Sequence, residues 1–479
     1  MKPNLPKILT FLLILVNLQC FSQEIWRESF SIPNKGIWGD EDGKTIHTDF
    51  EDITTWTLEY ANVSLSSPDD YAKTVTTSGG RFECRDINAE VIWRSETIDI
   101  SEFKNISIQL YANETGSGAN EENKYLKAFY ILDEHEKIMF ETNAINTGNW
   151  GKAIAKHSGI EGKNLQIVVY MNNHYASDKV ILDEVVVMGE EKNPIVIEPG
   201  DLLINEVLFN PVPDGEDFVE IYNYSEKQIP LNKLYLASRN KNLELTQIYS
   251  LSDKRDKLEP KNYLALTKDT NGVFPWFHIK CYECFLQMNR FPSFNNDEDH
   301  VVLLNNQMEV IDEFFYNEKM HAPLLYDREG ISLERISFSA STNDKRNWQS
   351  ASTESGYGTP GYKNSQYENP ELERISVTFE PEAFSPNNDG YNDIYTINFQ
   401  LDKPGYICNI WIYDSAGKLI RKLADNNILG TNEQIKWNGE NETGQRLKLG
   451  PYIILVEIFS SDGYVKQFKD GIILTDILE

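Results

Sequence analysis

Histidine and cysteine are scarce in this chain, at seven and five among 479 residues. No H-E-x-x-H pair and no G-x-S-x-G elbow occurs, so the signatures of zinc proteases and serine hydrolases are missing. Net positive charge is lacking too: 45 basic residues face 74 acidic ones. Such a surface repels polyanions, because neutralising phosphates takes clustered Lys and Arg, so nucleic acid is not expected as a partner. Long apolar runs are absent except for residues 8–16, which are too few to span a bilayer. No transmembrane helix is expected.

That short run has the form of a secretory signal. Lys2 and Lys7 precede it, and Cys20-Phe21-Ser22 offers small residues at −3 and −1 for cleavage before Gln23. Residues 1–22 are therefore read as a signal peptide; acylation of Cys20 is the weaker reading. Removing Lys2 and Lys7 leaves 43 basic against 74 acidic residues, a mature charge of −31. Self-repulsion of this size suits an exported, soluble chain. Cys84 and Cys408 stand alone, whereas Cys281 and Cys284 form a C-x-x-C pair with no second pair to complete a zinc site. A local Cys281–Cys284 disulfide is one reading, and redox or metal chemistry the other.

The remaining pattern is that of strands. ISIQLYAN (106–113), LQIVVYMNN (165–173), VVLLN (301–305), ICNIWIYD (407–414) and YIILVEIF (452–459) are short, rich in β-branched and aromatic residues, and bounded by polar turns. YLKAFYIL-DEHEK-IMFET predicts a hairpin over 125–142. Two polar, proline-containing stretches, 191–200 and 364–374, read as linkers. The expectation is an all-β chain of three tandem β-sandwich domains over 24–190, 201–363 and 375–479.

The densest polar cluster is AFSPNNDGYND (383–393). Asn387, Asp389 and Asp393 fall at the third, fifth and ninth positions of a calcium-type loop, but the twelfth position is Thr396, where such loops need a bidentate glutamate. Asn and Asp also build turns by accepting nearby backbone N–H groups, and Gly390 permits positive φ. A turn, a calcium site and a catalytic loop are the three readings, in that order. Glu28 and Asp183, near the ends of the first domain, are a second candidate calcium pair. Trp26, Trp38, Trp56, Trp93 and Trp150 are candidates for a sugar-stacking platform or for core packing.

Three resemblances follow from longer stretches. LLINEVLFNP (202–211), DFVEIYNYSEKQIPLNKLYL (217–236), SLERIS (332–337), NWQSA (347–351) and GYGTPGYKNS (356–365) resemble a secreted bacterial lamin-tail domain, an immunoglobulin-like sandwich. The stretch 275–294, with its C-x-x-C pair, departs from that pattern. AFSPNNDGYND, IWIYDSAGKLIRKL (410–423), IKWNGENETGQRL (435–447) and LGPYIILVEI (449–458) resemble the immunoglobulin-like C-terminal domains of gliding-motility and type IX secretion proteins. The ending DILE departs from the basic tail of sorting domains. KVILDEVVVMGE (179–190) and the strands before it are similar to jelly-roll, carbohydrate-binding-module-like domains, which implies a structural calcium between terminal strands.

These features together predict an exported, non-catalytic surface adhesion or binding protein, with an extracellular glycan or surface protein as partner. The alternative is a secreted hydrolase of polysaccharide or nucleic acid, or an accessory subunit of one. Calcium is the one cofactor these residues suggest.

Overall fold

The computed structural model describes residues 22–115, 123–140, 153–252, 256–368 and 374–476. The signal segment, apart from Ser22, and Trp150 lie outside the described residues. The chain is all-β, and it divides into two compact units, one ending at Pro194 and one beginning at Ile195. No helix among the described residues is long and apolar enough to cross a membrane.

The first unit is a sandwich of an eight-stranded and a six-stranded sheet. Phe103–Thr115 and Lys179–Glu191 form the centre of the larger sheet, with Gln23–Glu28 also paired to the latter. In the smaller sheet Lys124–Leu132, Asn164–Asn173, Val91–Ser95 and Trp56–Glu59 lie side by side. Strand alternation decides what meets between the sheets. Ile106, Ile108 and Leu110 point inward from one, and Leu126, Ala128, Ile167 and Val169 from the other. Each buried Ile or Leu is worth roughly 1.5–3 kcal/mol. Trp56 and Trp93 belong to this core, packed with Phe30 and Phe82. Trp26 and Trp38 are half-buried, Trp26 donating its indole N–H to Glu96. Trp26, Trp38, Trp56 and Trp93 are therefore divided between the core and half-buried positions.

The second unit holds two sandwiches. In the first, a six-stranded sheet centred on Leu202–Leu208 and Phe218–Asn223 packs on a four-stranded sheet that includes Glu298–Asn305 and Val310–Asn317. Val219 and Ile221 enter the shared core, as the alternation predicts. In the last sandwich, a three-stranded sheet faces a five-stranded one around Trp437, Tyr395 and Phe384. Gly439 follows Trp437 at φ +79°, and a Cβ there would lie 3.1 Å from Leu474, so the W-N-G turn needs glycine.

Both expected linkers carry structure. Ile197 is buried in the core of the second sandwich, and its carbonyl accepts from Asn305. Asn364 and Gln366 are buried as well. This segment bonds directly to the last sandwich: Thr431 N–H donates to Ser365 O at 2.9 Å, and the Gln366 side-chain Nε2 donates to Leu429 O at 3.0 Å. Thr353 N–H donates to Ile428 O at 3.0 Å, and Ser352 Oγ donates to Glu433 at 2.5 Å. The apolar poverty of 364–368 reads as a linker because its contacts are polar, and polar contacts leave no periodic trace in sequence.

Candidate binding face and buried carboxylate network

The smaller sheet of the first unit has an outward face as well as a core face. Its residues alternate with the core positions: Tyr125, Lys127 and Phe129 on one strand, Gln166, Val168 and Tyr170 on the next, Ile92 and Arg94 beyond. Register sets Phe129 opposite Val168, and Tyr170 opposite both Lys127 and Ile92. The Phe129 and Tyr170 rings meet edge to face at 5.3 Å. Lys137, from the 133–137 turn, lies 4.1 Å from the Tyr170 ring centre and donates to its hydroxyl at 2.7 Å. Polar groups flank these rings. Arg94 donates to Glu59 at 2.8 Å and to Gln166 at 3.3 Å, and Tyr125 donates to Glu90 at 2.6 Å. A depression of about 320 Å³ opens beside them, lined by Glu59, Asn62, Glu90 and Ile92. Aromatic rings framed by fixed hydrogen-bonding groups can stack on the C–H face of a sugar and bond its hydroxyls.

The sequence carries a signal for this face. YLKAFYIL places aromatics on both strand faces, so one set must point away from the core. Trp56 and Trp93 fill the core, and it is tyrosine and phenylalanine that project outward.

A second constellation lies in the lamin-tail-like sandwich. Glu206, Glu220 and Glu334 are fully buried on the sheet face opposite the core. The loop 356–366 covers them and supplies most of their partners. Glu206 accepts from Ser332 Oγ and from Thr359 N–H at 2.8 Å. Glu220 accepts from Asn205 at 2.7 Å and from Gly361 N–H at 2.5 Å. Glu334 accepts from Thr359 Oγ1, Ser365 Oγ and Gln366 N–H. Burial and the neighbouring Glu334 push Glu206 up to about 8. Burial, then Glu206, holds Glu220 well above the usual carboxylate range, and burial raises Glu334. Every carboxylate here ties the loop to the sheet.

At the calcium candidates, Asn387, Asp389, Asp393 and Glu28 make hydrogen bonds within the protein. Asp393 accepts three backbone N–H groups, from Asn387, Asn388 and Gly390, at 3.1, 2.6 and 2.8 Å. Asp389 accepts from Tyr391 N–H at 2.8 Å and from Asn387 Nδ2 at 2.8 Å. Asn388 and Asn392 adopt positive φ within this turn. Glu28 accepts from Phe30 N–H and Thr55 Oγ1, while Asp183 sits at the irregularity between Leu182 and Glu184 in the neighbouring strand. Among the described residues no three His, Cys, Asp or Glu side chains are grouped to hold a metal ion. Cys281 and Cys284 are joined by a disulfide, and Cys84 and Cys408 are buried free thiols.

With this geometry in view, the class is that of an all-β chain whose later part carries two recognisable sandwich domains. Residues 196–318 match the family model of the lamin tail domain. Residues 378–474 match that of the CHU_C type IX secretion signal domain. No curated protein matches the chain. Among solved structures it is similar to TmCBM61 in complex with β-1,4-galactotriose, at 10% identity over 29% of this chain and 85% of that one, with a TM-score of 0.19. It is also similar to the CBM22-1 xylan-binding domain from Paenibacillus barcinonensis Xyn10C, at 12% identity over 36% and 97%, TM-score 0.22. Dimeric latent PorU from Porphyromonas gingivalis is similar at 10% identity over 89% and 34%, TM-score 0.17. At such TM-scores nothing about ligands follows from these likenesses.

Proposed function

We propose that this is an exported, non-catalytic surface-binding protein whose first sandwich holds a neutral glycan. The observation that carries the reading is the outward face of the six-stranded sheet, where Phe129, Tyr170 and Ile92 sit among Arg94, Glu59 and Gln166. Stacking supplies area, and the fixed polar groups supply orientation. Export rests on the signal segment 1–22 and on the type IX secretion signal domain matched over 378–474. The lamin-tail and C-terminal sandwiches serve adhesion and attachment, and several modules on one chain raise each other's effective concentration at a shared surface. The buried carboxylates of the lamin-tail domain are engaged by the loop that covers them, which supports a structural role.

The test is affinity electrophoresis of the mature protein through gels containing neutral polysaccharides, together with a hydrolysis panel on the same substrates. Retardation without released sugar is expected. Turnover, or free migration through every polysaccharide, overturns the reading.

A further inference from the structure

A cleft of about 850 Å³ opens in the second unit between its two sandwiches, within the range of roughly 300–1,000 Å³ common for ligand sites. Three separate elements bring polar side chains to it, each including a lysine. The stretch that departs from the lamin-tail pattern supplies His278 and Lys280, the covering loop supplies Lys363, and the last sandwich supplies Lys436. All four side chains are exposed, and none of the three lysines takes part in an ion pair among the described residues. Lys280 is held 3.9 Å from the Tyr362 ring centre and Lys363 is 4.4 Å from that of Tyr367, so aromatic faces fix both ammonium groups without neutralising them. The Cys281–Cys284 disulfide adjoins the covering loop: a Cβ on Gly361 would lie 3.2 Å from Cys284 Cβ. It anchors the segment bearing Lys280 beside the one bearing Lys363.

Two carboxylates also line the cleft, but both are engaged by its walls. Glu433 accepts from Ser352 Oγ and Gly430 N–H, and Glu354 accepts from Asn427 Nδ2. Burial pushes Glu433 up to about 7 and raises Glu354 from its ordinary value. In a chain with 74 acidic and 45 basic residues, one cleft with free lysines from three elements is a local reversal of charge. Asn432 and Gln434 add amides to the rim, and the cations are spread around a broad opening. That arrangement differs from a nest of N–H groups around a single phosphate and matches a hydroxyl-rich ligand with several separated negative charges.

We propose that the cleft between the lamin-tail and C-terminal sandwiches, lined by Lys280, Lys363 and Lys436, binds a carboxylate-bearing oligosaccharide. The site is distinct from the neutral-glycan face of the first sandwich and requires both sandwiches of the second unit.

Isothermal titration of the mature protein with a galacturonic acid oligomer tests it, with the neutral galactose oligomer and inorganic phosphate as comparison probes. The acidic oligomer is expected to bind at least about tenfold tighter than the neutral one and to weaken with salt. Lys363→Ala with Lys436→Ala is expected to cut its affinity at least about fivefold, as loss of ion pairs predicts. Lys363→Arg with Lys436→Arg should keep the binding, which separates charge from fold. A neutral polysaccharide retained by the first sandwich should not compete. Equal affinity for acidic and neutral oligomers, an unaffected alanine variant, an arginine variant that fails to bind, competition by the neutral polysaccharide, or phosphate binding as tightly as the oligomer would each overturn the proposal.

Discussion

Thr359 Oγ1 lies 2.7 Å from Glu334 Oε1, and the same oxygen is 3.1 Å from Glu206 Oε2. A hydroxyl has one hydrogen to donate, so it cannot serve both carboxylates as a donor. If Glu334 receives it, the Glu206 contact needs a proton on Glu206 itself. The upward shift of Glu206 to about 8, caused first by burial and then by Glu334, agrees with that assignment.

This proton makes stability depend on pH. Between its unfolded value of 4.5 and its folded value of about 8, Glu206 binds its proton more tightly when folded, so its stabilising contribution is lost as pH rises through that window. Asp217 and Glu433, each pushed up to about 7 by burial, act in the same direction. His321, lowered by burial from 6.5 to about 4, acts oppositely but only below 6.5. From pH 6.5 to 8 the second unit should therefore lose about 3 kcal/mol, or roughly 6–12 °C in Tm. Thermal unfolding followed at the two pH values checks this.

Glu206→Gln should flatten that slope without unfolding the domain. The amide oxygen can still accept from Ser332 and Thr359 N–H, and the amide nitrogen can donate to Thr359 Oγ1, as the protonated acid does. The variant is expected to melt within a few degrees of the parent at pH 6.5 and above it at pH 8. A variant as pH-sensitive as the parent contradicts the assignment.

The last two sandwiches should melt together. Thr431 to Ser365, Thr353 to Ile428 and Gln366 to Leu429 are backbone or buried bonds that cross between them. Differential scanning calorimetry of the mature chain should show two transitions, one for each compact unit. Three separate transitions would mean that the docking does not survive in solution.

On the first sandwich, Tyr170→Ala removes the ring that Phe129 and Lys137 both contact. A central aromatic anchor of this kind is expected to carry about tenfold or more in glycan affinity. Retardation in affinity gels, compared at equal Tm, is the measurement.

Asp393→Ala should destabilise the C-terminal sandwich by about 0.5–1.5 kcal/mol, since three exposed N–H groups lose their acceptor to water. The loss should be the same in calcium and in chelator. A Tm that rises with calcium in the parent but not in the variant would instead place an ion in the turn.

The all-β class and the positions of Val219, Ile221, Ile410 and Ile412 were legible because alternation is a local property of the chain. The turn at 387–393 was legible for the same reason, as its bonds run between neighbours in sequence. The outward aromatic face was legible only in half: period two says that two faces exist, but not which is covered. Glu206, Glu220 and Glu334 could not be assembled beforehand. They come from strands far apart in sequence, and nothing local marks a glutamate as buried rather than solvated.

The sequence by itself determined which residues alternate, where the tight turns fall and how acidic the surface is, because each depends on near neighbours and on composition. Only the tertiary structure decided that three glutamates share one dry layer, that 364–368 joins two sandwiches, and that lysines from three elements meet around one cleft. Those facts depend on which strands pair and which loops fold back, and burial and charge are set by those long-range neighbours.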